Sequence, residues 1–240
     1  MVYRDWDGSV YPDGLPQRDR LSFLSRRLPT IEINASFYRL PPRSTFERWA
    51  DQVPAGFVFA AKMSRYLTHI RRLRSPEEPI SRFWERARGL GRSFGPVLFQ
   101  TPPTLRRDVG LLEGVLAHRP SAMRAAFEFR HPSWDDDEVR AVLDEAGAAW
   151  VIADRPGIRY RPIVTGGWSY VRLHRAAEDR WEYGPARLRT WASRLSDLPA
   201  GDVFVYCNND PGGAAARDAE RLTRYLARGS ATLAGIERMF

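Results

Sequence analysis

The residues with most chemical reach are a dispersed set of acids, cations and amides: Glu32, Asn34, Lys62, Gln100, Glu128, Arg130, Asp154, Arg172, His174 and Asn208. Each lies at or just past the end of a short apolar run. The runs are Thr30 to Asn34, Phe57 to Ala61, Pro96 to Phe99, Arg124 to Phe129, Ala149 to Ala153, Trp168 to Leu173, and Val203 to Tyr206. All of them finish in polar or charged side chains. Just beyond stand Arg65, His69, His131 and Arg175, with Phe37, Tyr38, Tyr66 and Trp134 as aromatic walls. A single pair such as Glu128 with Arg172 would be an ordinary plug. Buried ion pairs add little net stability, so a full ring of polar ends points to a pocket.

The residue types allow several chemistries. Lys62 can serve as a fixed cation, a general base or a Schiff-base amine, or it can pair structurally with Glu32 or Glu128. Schiff-base chemistry would need a depressed pKa, which nearby Arg130 and Arg172 could cause, and the fixed cation is the preferred role. Glu128 and His174 are candidates for moving protons. Paired carboxylates also serve glycoside hydrolysis when suitably spaced. His69, His131 and His174 could ligate a metal with the acids, but no H-x-H or H-E-x-x-H spacing supports one. Neither a metal nor a cofactor is expected. Arg39, Arg65, Arg130, Arg172 and Arg175 suit a phosphate or carboxylate. Asn208-Asn209-Asp210 before Gly212-Gly213 opens a helix and adds backbone N–H groups for an anion, or a plain N-cap by Asp210. Cys207 has the opposite parity to Asn208 and is expected to face a helix, inert.

These residues need elements to place them. Helices are predicted at 15–28, 43–51, 76–90 (with Ser75 as N-cap), 105–117, 135–145, 185–195 and 214–227, and strands at the apolar runs. Strand and helix alternate, apart from a helix-free stretch at 155–167, which means right-handed parallel βαβ units. No phosphate-binding glycine motif follows any strand, which disfavours the nucleotide-binding open sheets. The remaining architecture is an α/β barrel of TIM type with seven visible strands. Its polar strand ends would then point inward at the C-terminal face, where such barrels carry their sites. An eighth strand would have to precede residue 15, and Met1 to Gly14 is turn-rich. Either the barrel has a gap, or residues upstream of Met1 complete it.

The 240 residues are 43% hydrophobic and 28% charged, which suits a globular fold and excludes a disordered chain. They read as one domain over 1–240. No apolar stretch is long enough for a transmembrane helix, and no secretory leader is visible. With one cysteine, Cys207, the expected location is the cytosol and no membrane partner is expected. The formal net charge is +8, and Lys62 is the only lysine among 37 basic residues. The other arginines are spread without a run of five or six, as on a solvated surface.

The chain resembles the YecE-like proteins, the family called domain of unknown function 72. The resemblance rests on Tyr11-Pro12 with Gly14-Leu15-Pro16, Glu32 to Pro41, Phe57 to His69, Phe99 to Pro103, Glu128 to Trp134, Ala153-Asp154, Tyr170 to His174, and Tyr206 to Asp210. It covers nearly the whole chain and implies a TIM barrel, but no reaction. There are two departures. The opening strand with a Gly-Thr-Ser-Gly-Trp-like end is missing, so Tyr3, Trp6, Gly8 and Tyr11 resemble the loop after it. Arg175 stands where the family generally has glycine, placing a bulky cation at the rim.

The expected function is therefore binding or transformation of a small anionic metabolite, phosphorylated or carboxylated, with sugars among the candidates. Lys62, Arg130 and Arg172 would stabilise charge, with Glu128 and His174 moving protons. Glu32, Asn34, Gln100, Asp154 and Asn208 would position the ligand, within the wall formed by Tyr38, Arg65, His69, His131 and Trp134. The alternatives are nucleic-acid binding or phosphodiester cleavage at an Arg-rich mouth, and a non-catalytic ligand sensor.

Overall fold

A computed structural model describes residues 6–230. Residues 1–5, including Tyr3, and 231–240 lie outside the described part. Seven parallel strands pair in sequence order: β1 (Thr30–Ile33), β2 (Val58–Lys62), β3 (Phe94–Gln100), β4 (Ala125–Glu128), β5 (Ala149–Asp154), β6 (Ser169–Leu173) and β7 (Val203–Cys207). The α-helices are α1 (Arg20–Ser25), α2 (Ala35–Tyr38), α3 (Arg43–Ala50), α4 (Glu77–Ala87), α5 (Val109–His118), α6 (Asp137–Glu145), α7 (Gly184–Ser196) and α8 (Ala214–Ser230). This is an α/β barrel of TIM type, nearly closed. Among the described residues no helix is long and apolar enough to cross a membrane.

The strands expected from the apolar runs are present, with ends shifted by a residue or two. Most helices also lie within a few residues of expectation, and the larger differences have separate causes. The helix expected from Leu105 starts at Val109, because Asp108 accepts a hydrogen bond from the Leu111 amide at 3.1 Å. Ser75 does not cap α4: it adopts φ +44°, and Pro76 takes the cap position. The helix expected over 15–28 is a 3₁₀ turn, Gln17–Asp19, running into the short α1. A π-helical turn, Tyr66–Ile70, follows β2 where no helix was expected.

Strand pleating divides the core into two layers. Ile33, Phe59, Ala61, Val97, Phe99, Ala125 and Phe127 face outward onto helices that present Phe46, Ile80, Phe83, Leu112, Val139 and Leu143. Ala60, Leu98, Ala126, Ala149, Val151, Trp168, Tyr170 and Tyr206 fill the axis. Small residues on β2, β4 and β5 leave room for the aromatic rings contributed by β6 and β7.

The barrel has a seam. Among the described residues no ladder joins β7 to β1. A cavity of about 420 Å³ follows this gap, lined by Ile31, Val58, Val203, Val205, Leu222 and Leu226, and reaches Glu32 and Asn208 at its upper end. Side chains bridge the gap instead. The Thr30 and Tyr206 hydroxyls lie 2.9 Å apart, and Asn208 donates to Glu32 at 3.3 Å. The Trp6–Tyr11 turn packs outside the seam with Leu24, Ala215 and Ala216, and the Trp6 indole donates to the Asp210 carbonyl at 2.9 Å.

Candidate functional site

The C-terminal strand ends converge on Arg172, an axial residue of β6. Its guanidinium donates to both Glu32 oxygens, from Nε at 3.0 Å and from Nη2 at 2.7 Å. Nη1 donates to Glu128 Oε2 at 2.5 Å. The Tyr170 hydroxyl also donates to Glu32, at 2.6 Å. Glu128 accepts further from Gln100 Nε2 at 2.9 Å, and its other oxygen lies 2.6 Å from Arg130 Nε and 3.5 Å from His174 Nε2. One arginine thus ties β1 to β4 across the axis.

Charge pairing sets the protonation states. Burial pushes the Glu128 carboxyl up, but Arg172, with His174 and Arg130, overrides it and holds the group well below the usual carboxylate range. Glu32 follows the same pattern: burial raises it, and the charge and hydrogen bonds of Arg172 bring it below its ordinary value. Both acids are ionised at neutral pH.

Lys62 closes the chain of contacts. Its Nζ donates to Gln100 Oε1 at 2.9 Å and sits 4.1 Å from the centroid of the Phe37 ring. Among the described residues no carboxylate lies within 4.0 Å of it. Burial lowers its pKa, Arg172 lowers it further, and Glu32 and Glu128 only partly offset this, leaving it at about 8. His69 packs edge-on against the same Phe37 ring at 5.0 Å, and its Nδ1 lies 2.9 Å from the Thr68 hydroxyl. Burial and the charges of Lys62, Arg65 and Arg130 lower its pKa, so it is neutral near pH 7.

The structure therefore brings together Glu32, Lys62, Gln100, Glu128, Arg130, Arg172, His174 and Asn208, with His69 alongside. Asn34, half-buried, stands just past β1 at the start of α2, and Arg65 is exposed at the start of the π-helical turn. Two expected placements, those of Asp154 and Trp134, are corrected. Asp154 does not face the axis; its carboxylate accepts from Arg187 at 3.0 and 3.1 Å and from the Trp191 indole at 2.9 Å, both on α7. Ala149, Val151 and Ala153 hold the axial parity of β5, so Asp154 falls on the helix side. Trp134 is no wall, because it is fully buried against Phe129 at 4.4 Å with its indole on the Leu105 carbonyl. His131 fixes its own loop, with Nδ1 accepting from the Ser133 amide at 3.1 Å. Tyr38 is 79% exposed, with its ring edge-on to Phe37 at 5.0 Å.

The family question is decided by comparison with known proteins. The family model described as "Protein of unknown function DUF72" matches residues 2–238. The chain belongs to the DUF72 family. Among curated proteins it is similar to UPF0759 protein YunF of Bacillus subtilis, 24% identical over 91% of this chain and 90% of that protein. It is also similar to UPF0759 protein YecE of Escherichia coli, 27% identical over 58% of this chain and 53% of that protein. Among solved structures a DUF72 family protein from Thermotoga maritima superposes with a TM-score of 0.81 at 26% identity, covering 94% of this chain and 95% of that one. One from Enterococcus faecalis reaches 0.77 at 23% identity, covering 86% and 88%, and shows the same fold.

In this DUF72 barrel two residues join the site without having been singled out. Tyr170 shares the axial parity of Arg172, two residues on, and that spacing was the available signal. Arg155 continues the parity of Ala153; its charge disfavours that of Arg130, and its buried Nε has no hydrogen-bond partner among the described residues. Arg175 at the rim is tied to Glu178 at 2.5 Å. No group of three His, Cys, Asp or Glu side chains among the described residues converges as a metal site.

Proposed function

We propose that this DUF72 protein binds a small anionic metabolite, phosphorylated or carboxylated, in the cytosol, at the mouth formed by Lys62, Arg130, Arg155 and His69. The observation that carries this is the charge balance. Arg172 is engaged at all three donor nitrogens by Glu32 and Glu128, so it holds the site together and is not available to a ligand. The third acid expected in the cluster, Asp154, pairs with Arg187 instead. Lys62 has no carboxylate of its own, and Arg130 shares Glu128 with Arg172. The mouth therefore carries surplus positive charge beside a neutral amide and an aromatic ring, a setting in which an oxyanion gains charge-assisted hydrogen bonds.

In this reading Glu128 orients cations and does not move protons. Its carboxylate is held too firmly ionised to act as an acid near neutral pH. His174 and His69 are the groups left to carry a proton. The test is thermal unfolding with inorganic phosphate and a panel of small phosphorylated and carboxylated compounds. Stabilisation is expected to grow with ligand concentration, weaken with salt, and be lost in Lys62→Ala and Arg130→Gln. A panel without effect, or variants that respond like the wild type, refutes the assignment.

A further inference from the structure

We propose that Lys62 is a nucleophilic amine that forms an imine with a small aldehyde or ketone bearing a carboxylate or phosphate. This rests on the anion-site reading above and adds a covalent step to it. Three observations carry it. Lys62 is the single lysine among the 37 basic residues; all the others are arginines, which cannot become amines, and it stands at the axial end of a barrel strand. Its Nζ contacts a neutral amide oxygen and an aromatic face, with no carboxylate within 4.0 Å among the described residues to hold the ammonium form. Finally, it retains 9% of its surface exposed, whereas Ala60, the preceding axial residue on the strand, is sealed at 0%.

The surroundings match a two-handled substrate. Arg130 and Arg155 would take the oxyanion, leaving the carbonyl carbon to face Nζ. The depressed pKa of about 8 supports the geometry, since an appreciable fraction of the side chain is free amine at that pH. The amine lone pair adds to the carbonyl carbon as the C–O π pair moves onto oxygen. A proton passes from nitrogen to that oxygen to give the carbinolamine. The nitrogen lone pair then expels the hydroxyl, which leaves as water with the proton that neutral His69 had taken from the Lys62 ammonium before the attack. Overall, ammonium plus carbonyl gives protonated imine plus water, with no change of oxidation state.

The experiment is reductive trapping on the full chain. Protein is incubated with glyoxylate or glycolaldehyde phosphate and cyanoborohydride, and labelling of the Lys62 peptide and of the N-terminal amine is followed by mass. Acetaldehyde serves as the neutral comparison. Relative to the N-terminal amine, Lys62 should label at least roughly tenfold faster with the anionic carbonyl compounds than with acetaldehyde, the gain from one charge-assisted contact. Preference for the carboxylate or for the phosphate probe identifies the oxyanion. Lys62→Arg should lose the label while the N-terminal amine is still labelled. If phosphate stabilises the wild type while Lys62 stays unlabelled, the imine is refuted and the anion site stands. If phosphate has no effect and labelling shows no anion preference, both are refuted.

Discussion

Replacing Arg172 with methionine tests the axial network. The guanidinium and the two glutamates it bridges are each at most 4% exposed, and their hydrogen bonds are 2.5, 2.7 and 3.0 Å long. Methionine keeps an unbranched side chain there but leaves two buried carboxylates without their main partner. Removing one member of a buried pair costs about 3–5 kcal/mol. For a chain of this length each kcal/mol moves the melting midpoint by ~2–4 °C, so Arg172→Met should melt roughly 6–20 °C lower. The pH dependence tells this loss from simple packing damage. In the wild type both carboxyls titrate below their unfolded values. Their contribution is therefore complete above the unfolded value of about 4.3 and is lost as pH falls through the lower native values. In the variant Glu128 keeps Arg130 and His174, but the burial of Glu32 loses its main counterweight, so the Glu32 carboxyl titrates higher in the native state than in the unfolded one. Protonation then favours the folded state, and the deficit relative to wild type should shrink from pH 7 to pH 5. Urea denaturation at the two pH values reads both effects. Wild-type stability, or a deficit that is unchanged at pH 5, would refute the reasoning. Adding Glu32→Gln should recover part of the loss. Glu128 keeps Arg130, whereas Glu32 has no other cation within ion-pair distance among the described residues.

Two further substitutions probe the placement of the elements. Asp154→Asn should cost about 1–2 kcal/mol by weakening the contacts to Arg187 and Trp191, and should leave stabilisation by phosphate unchanged; a folded variant that no longer responds to phosphate would mean that Asp154 serves the mouth. Gly166→Ala should cost more than about 1 kcal/mol in a urea melt, because φ is +67° and a Cβ would come within 2.5 Å of the Gly147 backbone. Stability equal to wild type would show that the turn before β6 relaxes freely.

The barrel was legible because alternation and short apolar runs are local signals, and each run marked a strand. The site was legible where a polar residue interrupted an apolar strand: Glu32, Glu128 and Arg172 are costly to bury without partners, so their types alone required an inward cluster. Parity failed on β5, where Val151 and Ile152 are both apolar and the sequence does not say which faces the axis. That misplaced Asp154 and hid Arg155. Trp134 failed for another reason: an aromatic just after a strand suits a pocket wall and a core equally, and only the stack on Phe129 separates them. Tyr170 was hidden by being apolar in bulk, although its hydroxyl completes the coordination of Glu32. The helix starts depended on side-chain caps such as Asp108, which compete with nearby alternatives over a few residues.

The seam has a consequence for the shape of the barrel. A backbone ladder fixes neighbouring strands at about 4.8 Å. Between β7 and β1 the spacing is set instead by the Thr30–Tyr206 and Glu32–Asn208 contacts, and side chains can change rotamer where a ladder cannot. The girth of the barrel is thus adjustable at one place on its circumference. Glu32, at that place, is also held by Arg172, which reaches across the axis to Glu128. Any ligand that draws on Glu128 or Arg130 therefore pulls on the barrel's circumference as well as on its mouth.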